Sequence, residues 1–139
     1  MINERGEDMS KVILVGHGKI AEGIKSAAEV IVGNCDDVDA ISLLPSDSVD
    51  DFNKSLDESL SDCQKDELIV IFADLAGGTP ANQSAYRLTE YENLHVIAGI
   101  NLPLVIETLV QRNNEHIDFK ELVANAQNGM IYLNEMLQS

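Results

Sequence analysis

Long apolar runs are missing from this chain. No stretch approaches the roughly 20 residues needed to span a bilayer. Residues 1–10, Met-Ile-Asn-Glu-Arg-Gly-Glu-Asp-Met-Ser, lack the apolar centre and small-residue cleavage site of a secretory signal. The chain is therefore read as cytoplasmic. Basic residues are scarce too: 9 Lys and Arg stand against 24 Asp and Glu, a net charge of −15. Phosphate backbones are held by clustered Lys and Arg, so this balance argues against nucleic acid as a partner. The acid excess favours solubility and suits the steering of a basic protein partner. Cysteine is nearly absent. Cys35 and Cys63 have no Cys-x-x-Cys spacing and no nearby histidine, and read as free thiols in a reducing compartment. Together with three scattered histidines they show no ligand spacing, so no metal is expected. There is no internal repeat, no low-complexity segment, no Gly-x-x-x-x-Gly-Lys and no dinucleotide fingerprint. No cofactor is expected.

What remains is a chain of 139 residues with 45% hydrophobic content, enough for one domain with a real core. Its division is expected to be a polar extension over 1–10, with Met9 as an alternative start, followed by a single domain over 11–139. The organising stretch is Val12-Ile-Leu-Val-Gly-His-Gly18, a strand running into a tight turn. Apolar residues then recur at helical spacing, at Ile20, Ile24, Ala27, Ala28 and Ile31, up to a stop at Gly33-Asn34. Val38–Leu44 alternates as a second strand closed by Pro45. Ser46 or Ser48 caps a helix with Val49, Phe52, Leu56 and Leu60 on one face, ending near Cys63. Leu68–Ala73 is uninterrupted and apolar, as in a strand buried on both faces, and is expected to be central.

After the Asp74–Thr79 turn, helical spacing returns over Ala81–Tyr91, with Thr79 as N-cap and Pro80 at the first helical position. Leu94–Ala98 reads as a strand, and Asn101 as a cap for a helix from Leu102 to about Gln111. A polar loop over Arg112–His116 follows, then a helix capped by Asp118 and ending near Gln127. Asn128-Gly129 is a turn, and Met130–Leu133 a short edge strand, expected to pair antiparallel or with a partner chain. The alternation predicts an α/β fold, an open, doubly wound, mostly parallel sheet with helices on both faces.

Three βα turns then fall at one sheet edge: Gly16-His17-Gly18, Asp74–Thr79 and Gly99-Ile-Asn101. His17 and Asp74 become neighbours despite their separation in sequence. An imidazole, with an ordinary pKa of about 6.5, is a nucleophile at neutral pH when one ring nitrogen is free. A carboxylate on the other nitrogen fixes the tautomer and stabilises the cation formed on modification. Gly77-Gly78-Thr79 offers N–H groups and a hydroxyl at a helix start, a setting suited to phosphate. These parts fit phosphoryl transfer through a histidine, with the group arriving from another protein. Each residue also has a plainer role: His17 as a hydrogen-bonding turn residue, Asp74 as an Asx-turn former, Asn101 as a cap, His95 and His116 as structural or solvent-exposed.

Val15-Gly-His-Gly18, Asp74-Leu-Ala-Gly-Gly-Thr-Pro-Ala-Asn82 and Val96-Ile-Ala-Gly-Ile-Asn-Leu-Pro-Leu-Val-Ile-Glu-Thr-Leu109 together resemble the enzyme IIA component of the mannose-type phosphoenolpyruvate:sugar phosphotransferase system. The similarity runs from about Lys11 onward, in the family's order and approximate spacing. It implies that His17 is phosphorylated by the histidine-containing phosphocarrier protein and passes the group to an enzyme IIB. It also matches Asp74 to an aspartate bonded to that histidine and Thr79 to a residue beside the phosphoryl group, with Gly18, Gly77 and Gly78 around it. A homodimer exchanging the C-terminal strand is implied, Met130–Leu133 being the matching element. Contact with the membrane is implied only through the permease complex, and the end at Ser139 leads to the expectation that enzyme IIB is a separate polypeptide. Two departures stand out: Leu75-Ala76 replaces a turn that carries an aromatic residue in some members, and Gly16 stands where Thr or Ser often precedes the histidine. The rival readings are a histidine phosphatase, disfavoured because Gly16 and not Arg precedes His17, a dihydroxyacetone-kinase phosphotransfer subunit, a phosphorylated regulatory module and a silent binding domain.

Overall fold

A computed structural model describes residues 11–112, 114 and 116–137. The extension over 1–10, with Met9, lies outside the described residues. Four strands form, β1 (Lys11–His17), β2 (Asp39–Leu43), β3 (Ile69–Ala73) and β4 (Leu94–Ala98). They pair in parallel in the order β2-β1-β3-β4. The helices are α1 (Ile20–Val32), α2 (Val49–Leu60), α3 (Thr79–Ala85), α4 (Leu102–Gln111), α5 (Phe119–Ala126) and α6 (Leu133–Leu137). The open parallel sheet with helices on both faces is thus the observed architecture.

Period-two alternation sorts the sheet's side chains onto two faces. Val12, Leu14, Val70 and Phe72 pack against α1, α4 and α5 through Ala21, Ala28, Leu104, Val105 and Leu122. Ile13, Val15, Ile69 and Ile71 meet Phe52, Leu56 and Leu60 of α2 and Ala81 of α3 on the other face. Covering both faces is what allows β3 to be apolar throughout, and all five of its residues are buried. β1 and β3 are the two interior strands.

Local signals set the helix starts. Ser48 and Asp51 form a reciprocal capping box at α2, each side chain bonding the other's backbone N–H. Asn101 Oδ1 accepts from the Leu104 N–H at α4, and Asp118 from the Glu121 N–H at α5. Two helices stop early. The chain leaves α2 at Leu60, three residues before Cys63, as Ser61 Oγ bonds the Glu58 carbonyl. The third helix is α-helical only to Ala85 and tightens into a 3-10 turn over Tyr86–Thr89. There the Ser84 hydroxyl donates back to the Pro80 carbonyl and Arg87 to the Gln83 carbonyl.

The expected edge strand over Met130–Leu133 is not formed within the chain. Residues 130–132 belong to neither helix nor strand, and Leu133 opens α6. A strand exists only where another strand's backbone accepts its hydrogen bonds, and this segment has no such neighbour among the described residues. Its side chains stay in solvent, Met130 at 92% exposure. The described sheet is accordingly four-stranded and wholly parallel.

Candidate active site

The strand order places a topological switch point between β1 and β3. From β1 the chain moves outward to β2, and from β3 it moves the opposite way to β4. The turns at the carboxyl ends of these two strands diverge there and leave a crevice, the place where open α/β sheets bind ligands. His17 closes β1, and Asp74 directly follows β3. His17 is the last strand residue, in register with Leu43 of β2, and not the first residue of the turn.

The two side chains meet across the crevice. Asp74 Oδ2 lies 2.9 Å from His17 Nδ1, and the same oxygen accepts the His17 backbone N–H at 2.9 Å. Sequence reading anticipates the first contact but not the second, which clamps the residue's backbone as well as its ring. An ionised carboxylate only accepts, so Nδ1 carries the proton and Nε2 presents its lone pair. Burial pushes the Asp74 carboxyl up, but the two hydrogen bonds from His17, the electrostatic attraction of its ring and the Asp74 backbone N–H outweigh it and hold it below the usual carboxylate range. Asp74 Oδ1 is buried with no hydrogen-bond partner among the described residues, and the two bonds from His17 fall on Oδ2. The Asp74 side chain is 11% exposed, that of His17 45%. The carboxylate is sheltered and the imidazole is open.

The linkage has a definite sign. A carboxyl whose folded pKa is depressed adds stability that is complete above its unfolded value of about 3.9 and disappears as pH falls through the folded value. We predict that the stability difference between the native chain and Asp74→Asn, measured by urea denaturation, shrinks as pH falls below about 4. A difference that grew on acidification below about pH 4 would contradict this assignment.

The glycines flanking the imidazole serve by absence of side chain. A Cβ on Gly16 would collide with Ile20 Cγ2 and lie 3.2 Å from Asp74 Cγ, so Ile20 fills the space that a side chain there would need. Gly18 turns the chain in the left-handed region, φ 57°, and its N–H extends the ladder to the Leu43 carbonyl. Gly78 lies against the ring itself: a Cβ there would sit 2.8 Å from His17 Cε1 and 3.5 Å from Nε2. That contact is missed in the sequence, where the Gly-Gly pair signals a turn but not what it faces.

Gly78, and not Thr79, is the N-cap of α3, because the Gly78 carbonyl accepts the first helical bond from Asn82. Thr79 and Pro80 become the first and second helical residues, where proline's fixed φ is equally at home. The Gly78 N–H is committed to the Leu75 carbonyl, and Asn82 Nδ2 bonds the Gly77 carbonyl at 3.2 Å. The backbone N–H groups of Gly77 and Thr79 have no protein acceptor among the described residues. Asn101 caps α4 and also donates from Nδ2 to the Ala126 carbonyl, tying α4 to α5. His95 is no part of this site: it stacks on Phe119 at 4.2 Å, and burial lowers its pKa.

Fold and site define an α/β protein with a carboxylate-oriented, open imidazole at its switch point. A family model described as the PTS system fructose IIA component, EIIA-man, matches residues 11–127. The fructose-specific EIIA component of Bacillus subtilis is 28% identical over 117 residues, covering 84% of this chain and 79% of that protein. The mannose-specific EIIAB component of Escherichia coli is 30% identical over 119 residues, covering 85% of this chain and 36% of that longer protein. The crystal structure of a phosphotransferase-system EIIA from Streptococcus agalactiae superimposes with a TM-score of 0.81 at 30% identity, over 91% of this chain and 99% of that one. The chain belongs to the EIIA-man family of phosphotransferase-system IIA components. Such components are phosphotransferases of sugar transport, and phosphoryl transfer is the class of reaction to which the geometry must answer. Among the described residues no helix is long and apolar enough to cross a membrane.

Proposed function

We propose that this chain is a phosphohistidine carrier in the cytoplasm. His17 takes a phosphoryl group from the histidine-containing phosphocarrier protein and hands it to an enzyme IIB, for sugar uptake and phosphorylation. The observation that carries the reading is the 2.9 Å contact of Asp74 Oδ2 with Nδ1, which leaves Nε2 as the free nucleophile on an open surface. The Nε2 lone pair forms the new N–P bond as the donor's N–P bond breaks, and the donor's ring nitrogen keeps that electron pair. Nδ1 retains its proton, so the phosphorylated ring is a cation, and the ionised Asp74 stands against it. Transfer to the acceptor reverses the same step.

Gly18, Gly77, Gly78 and Thr79 border the phosphoryl group in this reading. Gly18 and Gly78 give room, since their N–H groups are already engaged. Gly77 and Thr79 supply the uncommitted N–H groups, and Thr79 its hydroxyl, at the start of α3. An imidazole 45% exposed is accessible to a nucleophile or a donor carried on another protein. The membrane is reached only through the permease complex. The test is transfer of label from phosphoenolpyruvate through enzyme I and the phosphocarrier to this chain. Acid-labile, alkali-stable label that requires His17 supports the reading, and its absence from a folded chain overturns it.

The reading includes a homodimer in which Met130–Leu133 of each copy lies along β4 of the other. Ile131, Tyr132, Leu133 and Leu137 are exposed in the single chain, and β4 is an edge strand. Leu88, Val96, Phe119 and Val123 line an apolar groove at that edge. Sedimentation equilibrium is expected to give a dimer for the full chain and a monomer for a chain ending at Gly129. A monomeric full chain would remove the exchange from the proposal.

A further inference from the structure

We propose that Lys19 contacts the phosphoryl group on His17 and balances its charge during transfer. This rests on the phosphohistidine reading above and adds to it a residue that the reading does not use. Among the described residues, the turns that follow the four strands, 18–19, 44–48, 74–78 and 99–101, contain one cationic side chain, Lys19. They also contain Asp47 and Asp74, in a chain of net charge −15. A phosphoryl group arriving at Nε2 therefore enters a field made by acids, with an ionised carboxylate already bonded to the same ring. Two of the bordering N–H groups, those of Gly18 and Gly78, are spent on backbone carbonyls. The site is short of positive charge unless Lys19 provides it.

Position and freedom both suit Lys19 to this. Consecutive Cα atoms are about 3.8 Å apart, so its Cα lies at most about 7.6 Å from that of His17, and a four-carbon stem spans the remainder. Four other cations are engaged elsewhere: Lys11 pairs with Asp39 at 3.0 Å, Arg87 with Asp57 at 2.9 Å, Arg112 with Asp37 at 2.7 Å, and Lys65 lies over the Tyr91 ring. The exposed Lys19 side chain has no ion pair or hydrogen bond among the described residues. Its backbone carbonyl holds the Gly23 N–H, so the residue is anchored while its ammonium stays available. A compact ammonium acts on phosphate as a point charge and needs no bidentate geometry.

Phosphoramidate as donor separates this role from protein docking. Its P–N bond breaks as the Nε2–P bond forms, ammonia leaves with the electron pair, and the product keeps the proton on Nδ1. The folded native chain, Lys19→Met, Lys19→Arg and His17→Ala are compared for labelling rate at increasing salt. Lys19→Met is expected to react about tenfold slower, the size of a charged hydrogen bond, and with a weaker dependence on ionic strength. Lys19→Arg is expected to recover most of the rate. Equal rates and equal salt dependence for the native chain and Lys19→Met would overturn the role of Lys19 and leave the phosphohistidine intact. Label retained in His17→Ala, or a folded native chain labelled neither by phosphoramidate nor by the phosphocarrier, would overturn the phosphohistidine reading and the role of Lys19 with it.

Discussion

The His17→Ala chain is expected to take up phosphoryl label only at background, with its fold unchanged. The side chain is 45% exposed and fills no core space. Its loss removes the nucleophile proposed above and leaves Asp74 as a carboxylate still able to accept the backbone N–H of residue 17. Asp74→Asn makes a sharper distinction, because it keeps the shape and one acceptor while removing the charge. The amide cannot stabilise the phosphorylated ring as a cation, and in its flipped orientation it donates to Nδ1 and places the ring proton on Nε2. We expect transfer to Asp74→Asn to be slower by about 10²-fold or more, as for other carboxylate–histidine pairs. Quench-flow labelling with circular dichroism on the same samples checks both variants. Near-native transfer by Asp74→Asn would mean that the carboxylate only holds the backbone.

Gly78→Ala is the second change with a large expected effect, because it adds one methyl group to the ring's side. That methyl would sit 2.8 Å from Cε1 and 3.3 Å from the Leu75 carbonyl oxygen. The Leu75 carbonyl is held by the Gly78 N–H, so the exposed imidazole is the part that gives way. Rotating it off the methyl lengthens the Nδ1 bond to Asp74 and re-aims Nε2. A displacement of about 1 Å at a reacting atom costs on the order of 10²-fold in rate. Stability changes little, by about 1 kcal/mol, the difference between Gly and Ala at an N-cap. The expected pattern is thus a slow but folded carrier, read from labelling rate and urea midpoint together. An unaffected rate would show that the ring tolerates a neighbour at Gly78 and that its position is set by Asp74 alone.

The element order, the parallel sheet and most helix caps are legible from local chemistry alone. The unbroken apolar run before Asp74 marks an interior strand, and Ser48, Asn101 and Asp118 mark helix starts through their own side chains. Less legible are the ends of helices, where Ser84 and Arg87 compete for carbonyls of the preceding turn. Met130–Leu133 has strand-like residues but no strand, because pairing depends on a partner backbone that the described residues of its own chain do not present to it.

The candidate site divides in the same way. The sequence by itself determined that a histidine, an aspartate and a glycine-rich helix start lie at the ends of strands, since strand, turn and helix are short-range properties. Tertiary structure alone decided the register of β1 on β3 and that one oxygen of Asp74 holds the backbone of His17 as well as its ring. It also decided that Gly78 faces the imidazole, that Ile20 fills the space beside Gly16, and that Gly78 rather than Thr79 caps α3. The physical reason is distance along the chain. Asp74 is 57 residues from His17, and contacts between them are set by the order in which strands assemble into the sheet, which no local pattern of residues encodes.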